Sequence, residues 1–214
     1  SIRVRPAENY IKQVLDERGL GDNKSNAVNT TGNNNLKVTT GVSVLNEAET
    51  TQFRSCVGKL MWLIPIRPDI NYATKELSRS LREPTIEDQA KLKHLLRYLK
   101  GTLDHYIDIT PQILSTSDAQ LELNVVVDSD WAGCRTTRKS TSGCVIQLQG
   151  TTVHHFSRTQ QTIATSSAEA ELYAIGAGVT EALGIMHLLQ ESRLGTNVVL
   201  RVHTDSTSAK AIAT

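Results

Sequence analysis

Five acidic residues stand where their spacing could do chemistry. Asp128 and Asp130 end an apolar run in the stretch VVVDSDWAG, Asp205 ends a second such run, NVVLRVHTD, and Glu169 and Glu171 open the stretch SSAEAELYA between them. Carboxylates at the tips of two strands converge when the strands are parallel neighbours, and a helix start can add a third. Three carboxylates at one point repel one another unless a cation joins them. An oxygen-only set selects a hard divalent ion, Mg²⁺ first with Mn²⁺ as the alternative. Two such ions about 4 Å apart serve in-line hydrolysis of a phosphodiester. The competing reading is local: strand-end Asp makes turns and helix-start Glu makes caps.

The elements that must position these acids are readable from periodicity. LELNVVVDSD alternates as a strand, with Leu121, Leu123, Val125 and Val127 on one face and Val126, Asp128 and Asp130 on the other, so periodicity alone does not divide the two aspartates. SGCVIQLQGTTVHHFS predicts a hairpin around Gln149-Gly150. A long helix follows from SSAEAEL, then the strand NVVLRVHTDS, then a helix from Thr207. The order β-β-β-α-β-α demands a mixed sheet, its fourth strand parallel to its first. In the long helix, Ser166 and Glu169 fit a capping box. With the apolar face taken as Leu172, Ile175, Val179, Leu183 and Met186, Glu171 and Glu169 lie equally far from its centre, roughly 80° to either side. The capping box assigns Glu169 to the cap, so Glu171 is the expected ligand. Trp131 is expected to close the core rather than stack on a base. His154 and His155 point to opposite faces and share no metal; His203 reads as a satisfied sheet histidine.

The first half is different in character. Ala7 to Leu20 predicts a short amphipathic helix, residues 21–50 an Asn/Thr-rich linker, and residues 51–118 a helical segment broken by Pro65 and Pro68, with Thr85 and Asp88 capping a helix that ends near Gly101. Whole-chain charge is nearly balanced, 23 basic against 22 acidic residues, but Arg54 to Gly101 holds ten Lys/Arg against five Asp/Glu, a net of +5. Such a segment suits a polyanion or a solvated helix face. Cys56, Cys134 and Cys144 have neither disulfide-framework nor zinc-knuckle spacing, which indicates a reducing compartment. No signal peptide or spanning segment is expected, no membrane partner, and no Gly-rich motif for a small-molecule cofactor.

DSDWAGCRTTRKSTSGCVIQLQG, SRTQQTIATSSAEAELYA and HTDSTSA together resemble the ribonuclease H domain of copia-type (Ty1/copia) retrotransposon polyproteins. RSCVGKLMWL with IPIRPDINYA, and KLKHLLRYLKGT, are similar to the thumb and connection stretch of their reverse transcriptase, which YIKQVLDERGL resembles at its start. The resemblance implies an α/β fold: a ribonuclease H-like mixed sheet, five-stranded with flanking helices, over residues 119–214, preceded by a mainly helical thumb/connection segment. It implies that Asp128, Glu171 and Asp205 bind two Mg²⁺ and cut the RNA strand of an RNA–DNA hybrid, with Asp130 as a neighbour. The family's Tyr-x-Asp-Asp polymerase turn is absent, so no DNA synthesis is expected. Its fourth carboxylate and nearby His would fall after Thr214, so the domain reads as truncated; Asp108 and Asp118 are poor substitutes.

Partners follow from the same resemblance: an RNA–DNA hybrid and the rest of the polyprotein, including its polymerase domain. The expected setting is intracellular, a cytoplasmic virus-like particle or the nucleus, not secreted. Phosphate contacts are expected from Arg135, Arg138, Lys139 and Arg158 and from Lys91, Arg97 and Lys100, with hydroxyls of Ser140, Thr141 and Ser142 on a sugar edge. The alternative function is a non-catalytic nucleic-acid-binding fragment gripping duplex through residues 54–101.

Overall fold

A computed structural model of the chain describes residues 1–21, 26–32, 43–109, 120–134, 136–193 and 197–213. Parts of the Asn/Thr-rich stretch, together with Asp118, Arg135 and Thr214, lie outside the described residues. The chain divides into two units, residues 3–107 and residues 1–2 with 108–214. Strands β1 (Ile2–Val4) and β2 (Ile107–Ile109) form a separate two-stranded sheet.

The helical unit contains α1 (Glu8–Asp16), α2 (Glu47–Leu63), α3 (Asn71–Ser78) and α4 (Ile86–Gly101). Helix α1 buries Ile11, Val14 and Leu15, one helical stripe. Beyond it Gly19 takes φ 64°, and the Leu20 N–H reaches the Leu15 carbonyl at 2.9 Å, a Schellman-type stop. Helix α2 starts at Glu47, inside the stretch expected to be linker. A capping box sets that start: the Glu49 N–H donates to Asn46 Oδ1 at 2.9 Å and the Asn46 N–H to Glu49 Oε2 at 3.1 Å. Thr85 and Asp88 form the expected second box at the head of α4. Phe53, Val57, Leu60, Ile70, Leu92, Leu95 and Leu99 fill the core without exposure.

Among the described residues the most deeply buried charge of this unit is Arg67. Arg67 is 1% exposed and donates from Nε and Nη2 to Asp69, from Nη1 to the Thr102 carbonyl at 2.9 Å and from Nη2 to Thr102 Oγ1 at 2.7 Å. The Tyr98 hydroxyl adds a bond to Asp69 Oδ2 at 2.9 Å. Burial works against the Asp69 carboxylate, but the Arg67 guanidinium and the Tyr98 hydroxyl outweigh it and hold its pKa below the ordinary value.

The second unit is a mixed four-stranded sheet of β3 (Leu121–Asp130), β4 (Thr141–Leu148), β5 (Thr151–Thr159) and β6 (Val198–His203), with helices α5 (Ser167–Glu191) and α6 (Thr207–Ala213). The strand order is β5-β4-β3-β6. Strand β4 is antiparallel to β3 and β5; β6 is parallel to β3 and is reached through α5. Four strands are present among the described residues, one fewer than the resemblance implies. The β4–β5 turn places Gln149 at φ 50° and Gly150 at φ 79°, the left-handed pair that a two-residue hairpin needs. Leu123, Val125, Val127, Cys144 and Ile146 form the buried face of the sheet.

Helix α5 meets that face differently from the sequence expectation. Its buried residues are Ala170, Glu171, Ala174, Gly178 and Ala182, while Leu183 is exposed and Leu172 and Val179 are only half-buried. The small stripe lets the helix lie close to the sheet: a Cβ on Gly178 would stand 2.6 Å from Val127 Cγ1 and 3.0 Å from Val125 Cγ1. By length and composition α5 is also apolar enough to cross a membrane, which the expectation of no spanning segment does not anticipate. Here one side of it is packed on β3 and β4 and carries Glu171.

Candidate metal centre

The parallel pairing of β3 and β6 brings both acid-tipped strands to one end of the sheet. Val126 pairs with His203, so Asp128 and Asp205 each stand two residues further along neighbouring strand paths. Helix α5 delivers Glu171 to the same point. One ligand oxygen from each of Asp128, Glu171 and Asp205 lies within 4.8 Å of the others. Asp128 and Asp205 are exposed; Glu171 is 8% exposed, and its Oε2 is buried without a hydrogen-bond partner. Glu171 Oε1 accepts from the Ser129 hydroxyl at 2.7 Å and the Ser129 N–H at 3.2 Å. An all-oxygen set with a buried, unpartnered carboxylate oxygen fits a hard divalent cation.

Glu169 points elsewhere. The Ser166 hydroxyl accepts from the Glu169 N–H at 3.1 Å, the expected half of a capping box. The Glu169 carboxylate, however, reaches one residue further back, to the Thr165 N–H at 2.7 Å and hydroxyl at 2.6 Å, and accepts from the Tyr173 hydroxyl at 2.9 Å. The Thr165 bonds, with that of Tyr173, lower its pKa. Asp130 is exposed at the start of the turn, and the Gly133 α-carbon packs against its carboxylate so closely that a Cβ there would collide with it.

Several residues expected to contact nucleic acid have partners within the chain. Ser140 is fully buried, accepts from the Ala132 N–H at 3.0 Å through its hydroxyl, and fixes the turn rather than meeting a sugar; Thr141 and Ser142 are buried too. Trp131 is 47% exposed, not core: it lies beyond the covered part of β3 and is held by a bond from Nε1 to the Ala164 carbonyl at 3.2 Å. Arg158 lies over the Phe156 ring and pairs with Glu181 at 2.5 Å. In α4, Arg97 Nε donates to the Asn26 carbonyl at 2.5 Å, Lys100 Nζ to the Leu20 carbonyl at 2.9 Å, and Lys91 pairs with Glu87 at 3.0 Å. Arg138, exposed at φ 57°, and Lys139 have no acidic partner among the described residues and lie at the end of the loop between β3 and β4. His203 is exposed and shares a hydrogen bond with Asn124 at 3.0 Å.

Known proteins match parts of the chain. The chain is 37% identical over 134 residues to an Arabidopsis thaliana protein named "Uncharacterized mitochondrial protein AtMg00810", covering 63% of this chain and 52% of that one. A second mitochondrial protein of that plant, AtMg00240, is 39% identical over 84 residues, 39% of this chain and 69% of its own length. The retrovirus-related Pol polyprotein from transposon RE1 of Arabidopsis thaliana is 39% identical over 98 residues, 46% of this chain. The chain belongs to the copia-type retrotransposon Pol polyproteins. It spans about half the length of AtMg00810 (52%) and 6% of the RE1 polyprotein, so it corresponds to a small part of a Pol polyprotein. No family model and no solved structure matches it.

Proposed function

We propose that the unit of residues 108–214 is a ribonuclease H-type endonuclease that hydrolyses the RNA strand of RNA–DNA hybrids during reverse transcription, leaving a 3′-hydroxyl. The observation that carries this reading is the convergence of Asp128, Glu171 and Asp205, with ligand oxygens within 4.8 Å. When bound, two Mg²⁺ ions, or Mn²⁺ in their place, neutralise the charge that develops in an in-line displacement at phosphorus. The chain's own part is positional. Strands β3 and β6 present Asp128 and Asp205 to solvent, where a phosphate backbone can reach them, and α5 holds Glu171 behind them. Arg138 and Lys139 stand on the same loop path to meet neighbouring phosphates.

The full chain, incubated with an end-labelled hybrid and Mg²⁺, is expected to cut only the RNA strand. Asp128→Asn removes a ligand whose ion contributes several kcal/mol, so the rate falls by about 10³-fold. Equal, metal-independent cutting by both proteins would falsify the reading. A non-catalytic hybrid-binding fragment is the other outcome, marked by salt-dependent binding without turnover. Against it stands the fate of the basic segment: of its ten Lys/Arg, only Arg82 and Lys93 lack an acidic or carbonyl partner among the described residues.

A further inference from the structure

Like charges as close as these three drive one another apart, and the acid cluster has no basic partner among the described residues to prevent it. Ser129 lies between Asp128 and Asp130 but points the other way. It pairs with buried Ser142, on the side of β3 that faces α5. Its backbone N–H is shared between two of the acids, 2.9 Å from Asp128 Oδ1 and 3.2 Å from Glu171 Oε1. Its hydroxyl donates to the same Glu171 oxygen at 2.7 Å, the length of a charge-assisted bond. Glu171 Oε1 therefore has two donors, whereas the buried Oε2 has none. A buried acceptor left without a donor is disfavoured unless a ligand takes it.

We infer that Ser129 is a positioning residue: its hydroxyl pins one oxygen of Glu171 so that the other is presented to a cation beside Asp128 and Asp205. The inference rests on the metal reading above. Any residue but proline at this position supplies the amide; the hydroxyl comes from the side chain, and without it the carboxylate can rotate away from its neighbours. The backbone under Glu171 is steadied separately. Gln160 Nε2 donates to Ser142 Oγ at 3.0 Å and to the Ala170 carbonyl at 2.8 Å, tying β4 to the helix one residue before Glu171.

The test is the Mn²⁺ affinity of the full chain without nucleic acid, by titration calorimetry, for wild type, Ser129→Thr, Ser129→Val and Glu171→Gln. Thr and Val share a β-branched shape suited to a strand and differ in the hydroxyl. Thr is expected to bind within about twofold of wild type and Val about tenfold more weakly, the loss typical when a metal ligand loses its hydrogen-bond partner. Their melting temperatures in EDTA should match. Should Val fold poorly, Ser129→Ala carries the same tenfold expectation without added bulk. Val or Ala binding as tightly as Thr overturns the inference, and Glu171→Gln losing Mn²⁺ in that same series leaves the metal reading standing. Glu171→Gln binding like wild type, or no saturable binding by wild type, overturns the metal reading and this inference with it.

Discussion

Arg67 and Glu171 are both buried charged side chains, 1% and 8% exposed, one in each unit, and their surroundings are opposite. Arg67 is enclosed by acceptors: a carboxylate on one side, a carbonyl and a hydroxyl on the other, with Tyr98 completing Asp69. Glu171 meets two more carboxylates and keeps one oxygen without a donor. The first arrangement satisfies every charge from within the chain and needs nothing else. The second is locally unfavourable, and a fold retains such a site when a ligand completes it. A satisfied buried charge thus indicates architecture, and an unsatisfied like-charge cluster indicates function.

The largest expected effect that tests this contrast is in the helical unit. Arg67→Ala strands Asp69 and the Thr102 carbonyl, and urea unfolding should show a loss of about 3 kcal/mol, the low end for a broken buried pair because Asp69 keeps 30% of its side-chain exposure. Its Mn²⁺ affinity should be that of wild type; a parallel loss of metal binding would break the separation drawn between the two charges. Gly178→Ala comes next. Overpacking against Val127 and Val125 should cost about 2 kcal/mol and weaken Mn²⁺ binding as well, since Glu171 is carried by the displaced helix; unchanged affinity would show that the site tolerates movement of α5. The smallest effect sharpens the comparison most. Asp205→Asn removes one of three repelling charges, so its melting temperature in EDTA should be unchanged or raised by about 1–2 °C, while Mn²⁺ binding is lost. A fall of several degrees would make that carboxylate structural, like Asp69.

The acid-tipped strands were legible because an apolar run that ends in a carboxylate carries its own period, and the register of β3 with β6 bears out the parallel pairing expected from the crossover. The contact face of α5 was not. Large residues dominate any hydrophobic average, whereas the helix touches the sheet through Ala170, Ala174, Gly178 and Ala182. Measured from that stripe, Glu171 lies about 40° from the centre and Glu169 about 160°, a far wider separation than the apolar face suggests. Arg97 and Lys100 look outward on a helical wheel, but their partners are backbone carbonyls of Asn26 and Leu20, 71 and 80 residues away, which no local pattern encodes. Ser140 and Trp131 exchanged their expected places for a similar reason: the turn between β3 and β4 folds a small hydroxyl inward against Ala132 and leaves the indole lying across the Ala164 loop. The Asn46–Glu49 box was available in the sequence as an Asn followed three residues later by Glu, and would have placed the start of α2 correctly.

Helix α5 turns its smallest residues inward and leaves Tyr173 and Leu183 outward at 41% and 38% exposure, while Leu188 near its end is 65% exposed. Hydropathy and burial are therefore inverted along it. For anyone handling this unit in solution, the exposed apolar residues of this helix add to colloidal behaviour without adding to the core. Aggregation and thermal stability become separately adjustable, because a charged residue at Leu188 changes the first without touching the packing that sets the second.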